Sequence, residues 1–181
     1  MRWLLCFLLL TITVWAREPE AVVEDVLRTH LEQQNLSKTV AATSKCFTPG
    51  FLGVIERALA RRPGSNGGAY VDSDFSSNSQ TELGHYEVGR AQIAGKDAQV
   101  PVKVWSGLRS LNTLKDPSKR ASWPYIVKAK YHLTDVGDGD GFQIKDIEWL
   151  PRTVTYEGKS TPIPAFWVRK WLEQIGTGRP K

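Results

Sequence analysis

The spacing of apolar residues divides the chain into a helical first part, an extended middle and a helical end. From Glu18 to Asn35, Val22, Val23, Val26, Leu27 and Leu31 recur at three- and four-residue intervals, which is one face of a helix. Pro19 suits the first turn, and Glu18, Glu20, Glu24 and Asp25 sit where the helix dipole favours acids. His30 borders the stripe and is expected as a packed helix residue, not a ligand. Ser37 to Phe47 predicts a second, weaker helix capped by Ser37. Thr48-Pro49 opens a third, with Phe51, Leu52, Val54, Ile55, Ala58 and Leu59 as its apolar side, Pro63-Gly64 as its end and a loop over 64–68.

After that the period changes to two. Tyr86 to Ile93 predicts a strand and Ala94 to Asp97 a turn. From Gln99 to Trp105, Val100, Val102 and Val104 oppose Gln99, Pro101 and Lys103, and Pro101 predicts an edge strand or a bulge. Residues 106–124 read as a long connection. Tyr125 to Thr134 alternates most clearly: Tyr125, Val127, Ala129, Tyr131 and Leu133 on one face, Ile126, Lys128, Lys130, His132 and Thr134 on the other. Asp135 to Gly141 predicts a hairpin turn into a strand from Phe142 to Leu150, whose alternation slips between Ile144 and Ile147 and so predicts a bulge near Asp146. Val154 to Lys159 predicts a short extended piece. Pro164 to Ile175 predicts a last helix, with Ile163, Trp167, Trp171 and Ile175 four apart and Gly176 as its C-cap. Helices and strands in separate blocks mean α+β with an antiparallel sheet, not a parallel doubly wound one.

The N-terminus adds a destination. Arg2 precedes an apolar run of about 13 residues from Trp3, and Val14-Trp15-Ala16 supplies a cleavage site. Charge, apolar core and small exit residue are the parts of a secretory signal, and the run is short of the ~20 residues a membrane helix needs. Residues 1–16 are therefore expected as a signal peptide, with a periplasmic or secreted product and no stable membrane span after cleavage. Removing sixteen of 181 residues leaves 165, enough for one domain with its own core. Losing Arg2 takes Lys+Arg from 24 to 23 against 19 acids, a net charge of +4 with no basic run. That dispersal argues against nucleic-acid binding. The exported chain keeps one cysteine, Cys46, so an internal disulfide is excluded; beside Phe47 it reads as a small buried apolar residue.

Candidate chemistry is sparse. The acids of Asp135 to Gly141 lack the partner pattern and closing glutamate of a calcium loop, so a plain hairpin is expected and no metal site. No phosphate-binding glycine loop, nucleophile elbow or zinc motif occurs, and no cofactor is expected. Asn35-Leu36-Ser37 fits a glycosylation acceptor, relevant only for a eukaryotic source. Lys128, Lys130 and His132 share a strand face opposite an apolar one, and suggest a basic binding surface for an acidic ligand or protein. Trp167 and Trp171, with Phe166, Arg169 and Lys170, suggest a helix docked over the sheet rather than a membrane-interface helix.

The order helix, short helix, helix, then Asp72-Ser73-Asp74-Phe75 and Gln80, then long antiparallel strands with Gly141-Phe142-Gln143-Ile144-Lys145-Asp146-Ile147, resembles the nuclear-transport-factor-two-like (cystatin-like) superfamily. Within it the chain is similar to an exported bacterial branch of unknown function. The proline of that branch's Asp-Pro-Phe segment is missing here, as is the acid after Gln80. The resemblance covers about residues 20–150 and implies a domain over 17–150 with a C-terminal extension over 151–181. It implies a curved sheet wrapping the first helix into a cone with a pocket, and dimerisation through the open sheet face. Members include isomerases, dehydratases and binding modules, so the fold does not choose among them. The expected function is an exported, non-enzymatic binding module. It would hold a small molecule in the cone pocket, or an envelope partner protein in the manner of an immunity or inhibitor protein, with Asp72, Lys128, Lys130, His132, Trp167 and Trp171 as binding residues. The alternative is a small isomerase- or dehydratase-like enzyme using Asp74, with His85 or Tyr86 as hydrogen-bond donor.

Overall fold

The structure is a computed structural model and describes residues 17–61, 83–106, 116, 118, 126–137, 139–156 and 159–177. Its first element, α1 (Pro19–Gln33), carries Pro19 in its first turn and ends at Gln34 in the left-handed region. Val22, Val23, Val26 and Leu27 are buried along one side, as the spacing predicts. His30 is buried too, with Nδ1 3.0 Å from the Thr39 hydroxyl. The next helix, α2 (Leu36–Ala42), is capped by Asn35, whose side chain accepts from the Lys38 N–H, so the cap lies two residues before Ser37. It stops at Ala42, and a 3-10 turn (Ser44–Cys46) takes up the rest of the predicted helix. Thr48 then caps α3 (Pro49–Leu59), which ends at Leu59.

The strands are β1 (Leu83–Val88), β2 (Gln92–Ala94), β3 (Asp97–Ser106), β4 (Ile126–Asp135) and β5 (Phe142–Trp149). β6 (Arg152–Tyr156) and β7 (Lys159–Ile163) form a separate hairpin, and β8 (Phe166–Trp167) leads into α4 (Val168–Thr177). In the main sheet the order is β1-β3-β4-β5-β8, with β2 also on β3; every ladder is antiparallel. The expected strand from Tyr86 to Ile93 is thus two strands broken at Gly89 to Ala91. The break explains Pro101, which lies in the middle of the inner strand β3 and not at an edge. A proline has no N–H to give a ladder, and Pro101 faces the gap between β1 and β2, where its carbonyl accepts from the Gly89 N–H at 2.8 Å.

All of β4's predicted inward set that is described is buried: Val127, Ala129, Tyr131 and Leu133. They meet Val100, Val102 and Val104 of β3, and Ile144, Ile147 and Trp149 of β5, under α1, α3 and α4. The predicted bulge is present: His132 pairs with Asp146 and Leu133 with Ile144, leaving Lys145 unopposed. The turn after β4 brings Gly137, Gly139 and Gly141 to φ values of 78°, 87° and 75°, which glycine alone adopts readily.

The C-terminal region departs most from expectation. Of the piece expected over 154–159, Val154 to Tyr156 end β6 and Lys159 begins β7, paired with Tyr156. Phe166 and Trp167 are extended and pair with Trp149 and Glu148, so the helix starts at Val168 and runs through Gly176. Its buried side is Val168, Leu172 and Ile175. Residues 1–16, the loop over 64–68, Asp72, Asp74 and Gln80, and most of the 106–124 connection lie outside the described residues.

Candidate functional site

Alternation places the even and odd residues of β4 on opposite sides of the sheet. The helices cover one side. The register fixes what stands together on the other: Glu87, Lys103 and Lys128 form one cross-strand row, Pro101, Lys130 and Glu148 the next, and Gln99, His132 and Asp146 a third.

Lys103 and Lys128 are directly opposite one another. Like charges facing across a ladder destabilise it, and opposite charges stabilise it. Glu87, on the other side of Lys103, offsets one of the two. The Lys103 ammonium also lies 4.5 Å from the centre of the Trp105 ring. Trp105 belongs to this outer side but is 1% exposed, with His85 against it at 5.1 Å between centroids. Beside the two lysines is a hollow of about 310 Å³. Glu87, Gly89, Pro101, Lys103, Lys128 and Leu150 are its outer-side lining. Gly89 helps keep it open: a Cβ there would come within 2.8 Å of the Pro101 ring.

Next to the hollow, His132 is clamped. Its Nε2 is 3.3 Å from a Glu148 carboxylate oxygen, and its ring lies 4.6 Å from that of Trp167. Trp167 is held there by the Glu148 pairing and stays 43% exposed. Asp146, raised on the bulge, ties this corner to the last helix. Its Oδ1 accepts the backbone N–H groups of Ile147 at 2.7 Å and Arg169 at 3.0 Å. Burial pushes the Asp146 carboxyl above its ordinary pKa, against the pull of those hydrogen bonds and of the His132 and Arg169 charges. Further along the same side, Asp97 accepts from Lys145 at 2.6 Å, which together with Thr134 holds its carboxyl below the usual value.

The structure therefore gathers Lys128, Lys130, His132 and Trp167 on one surface and adds Lys103, Glu87, Pro101 and Glu148, which sequence reasoning missed. Lys103 was visible on the polar side of its strand; its position opposite Lys128 depends on a register that the sequence pattern leaves open. Trp171 is elsewhere, edge-to-face with Phe166 at 6.3 Å. His85 and Tyr86 project from opposite sides of β1: His85 onto Trp105, Tyr86 toward α1, where burial and Glu24 push its hydroxyl pKa up. Asp72 and Asp74 lie outside the described residues.

A second hollow, of about 340 Å³, lies between α1 and the Ser44–Cys46 turn. Asp25 there takes ion pairs from Arg17, at 3.2 Å, and from Arg28. Cys46 is 2% exposed, and burial raises its thiol pKa although Arg17 lies within hydrogen-bond reach at 3.6 Å. A buried thiol with a raised pKa is a poor nucleophile. Among the described residues no cluster of histidine, cysteine and acids is arranged to hold a metal ion, and no helix is long and apolar enough to cross a membrane. No family model, curated protein or solved structure matches the chain.

Proposed function

We propose that the chain is an exported, non-enzymatic binding module that holds an acidic partner protein of the cell envelope on the outer side of its sheet. The observation that carries the reading is the Lys103–Lys128 pair facing across the ladder beside an open hollow. The pair costs folding stability by itself, and a carboxylate bound between the two would offset that cost. Pro101 and Leu150 give the hollow an apolar floor, and Trp167, the one large ring left exposed among the described residues, gives the surface an aromatic anchor. Export rests on the signal-like segment 1–16.

In the same proposal the helix-covered sheet is the nuclear-transport-factor-two-like cone, supported by the order of three helices before the long antiparallel strands. A twofold dimer through the outer side would bring the Lys103, Lys128 and Lys130 sets of two copies together, so an acidic partner fits that surface better than a second copy does.

The test is capture from the native envelope fraction with residues 17–181, compared with Lys103→Glu/Lys128→Glu and with Lys38→Glu, a control on the exposed side of α2. A protein retained by the first and third but lost with the double variant supports the reading. Equal retention by all three overturns it. A retained small molecule with no protein would move the site to a cone pocket and make Asp74 the residue to mutate.

A further inference from the structure

The base of the β6–β7 hairpin is a site of different character. Arg152 pairs with Ile163 and Thr153 with Pro162; Pro151 and Pro164 flank the pairs. Together these six residues line a hollow of about 480 Å³, within the range of small-molecule sites. Four of the six are proline or isoleucine. Proline rings fix their own backbone, so these walls lose little freedom when a ligand settles between them.

Among the described lining residues Arg152 is the one charge. Among the described residues the Arg152 side chain has no ion-pair partner, and its Nε is shut off from solvent with no hydrogen-bond partner. Loss of water around the guanidinium draws its pKa down from the ordinary value. A half-buried cation without a counter-charge is costly, and the cost falls when an anion arrives. Among the described residues of the lining none is an acid that could play that part. A guanidinium presents its donors as a planar fork that matches a carboxylate bidentately. Among the described lining residues Thr153 is the only other side-chain donor, too little for the several oxygens of a phosphate dianion.

We propose that this hollow binds a small organic carboxylate with a flat apolar body: the carboxylate on Arg152, the body against Pro151, Pro162, Ile163 and Pro164. The site lies on the separate two-stranded sheet and does not depend on the outer-side reading above.

The test is calorimetric titration of the protein with benzoate, acetate and inorganic phosphate. Saturable one-to-one binding of benzoate is expected, with acetate and phosphate weaker by about tenfold or more, since acetate lacks the body and phosphate the donors. Arg152→Gln should weaken benzoate by about tenfold or more, the size of one lost charge-assisted hydrogen bond. Arg152→Lys, which keeps the charge but not the fork, should also weaken it, and serves as the reading if the glutamine variant does not melt like the wild type. Absence of saturable benzoate binding, unchanged affinity in both variants, or phosphate binding tighter than benzoate would each overturn the proposal.

Discussion

Along β4, Val127, Ala129, Tyr131 and Leu133 are each exposed by 1% or less, whereas Lys128 is exposed and Lys130 and His132 are half-buried. The two sides share a backbone and a register, so they differ in the side chains they carry and in what covers them. The covered side answers to volume: its residues meet three helices and two neighbouring strands, and packing there decides stability. The open side answers to charge and reach. Its lysines oppose each other, its proline fills a gap in the ladder, and its histidine is pinned by a glutamate and a tryptophan. An arrangement that folding does not require is where a binding role has room to be written.

Changes that fill or empty the two sides should separate these roles, in falling order of effect. Leu133→Ala, on the covered side, should cost about 2–5 kcal/mol in urea unfolding, the loss of a buried leucine plus the cavity it leaves. Gly89→Val should cost about 1–3 kcal/mol, because the new Cβ would meet the Pro101 ring and the strand must shift. It should also narrow the hollow and weaken capture of the partner, which Leu133→Ala should not do in the fraction that stays folded.

Asp146 stands between the two sides and should show mixed behaviour. Asp146→Ala leaves the Arg169 and Ile147 N–H groups without their acceptor and should cost about 0.5–2 kcal/mol, as for a lost helix cap. Asp146→Asn keeps an acceptor and removes a titration. Because the native carboxyl holds its proton to higher pH than the unfolded one, its contribution to stability falls as pH rises above the ordinary value of 3.8. The asparagine variant should lack that decline, which thermal melts across acid pH would read. The smallest effect on folding should come from Lys128→Glu. It turns a like pair with Lys103 into an opposite one and should leave stability equal or higher by up to about 1 kcal/mol, while binding is lost. Thermal melting and capture on the same preparation check both halves.

The fold was legible where one physical demand ruled. The period of α1 and the alternation of β3 and β4 name their buried residues, and the slip between Ile144 and Ile147 marks the bulge. It was less legible where two demands competed. Pro101 argues for an edge by its missing N–H, yet a break between two short strands lets it sit on an inner strand. Trp167 falls on a helical period with Trp171, yet pairing with Glu148 keeps it extended. Of the site, Lys128, Lys130 and His132 could be read from one strand. Lys103 and Glu148 could not be joined to them, because a cross-strand neighbour is set by register and by the bulge, and neither leaves a mark within one strand's own sequence.

The claim to test is that the partner sits on the outer side of the sheet, over Lys103 and Lys128. A photo-reactive amino acid placed at position 87 of residues 17–181, which lines the hollow and is neither of the two lysines, and in a second preparation at position 38 on α2, measures this contact in the native envelope fraction. One cross-linked protein from position 87 and none from position 38 is expected. A cross-link from position 38 alone, or a partner retained by the protein but never cross-linked from position 87, would contradict the claim.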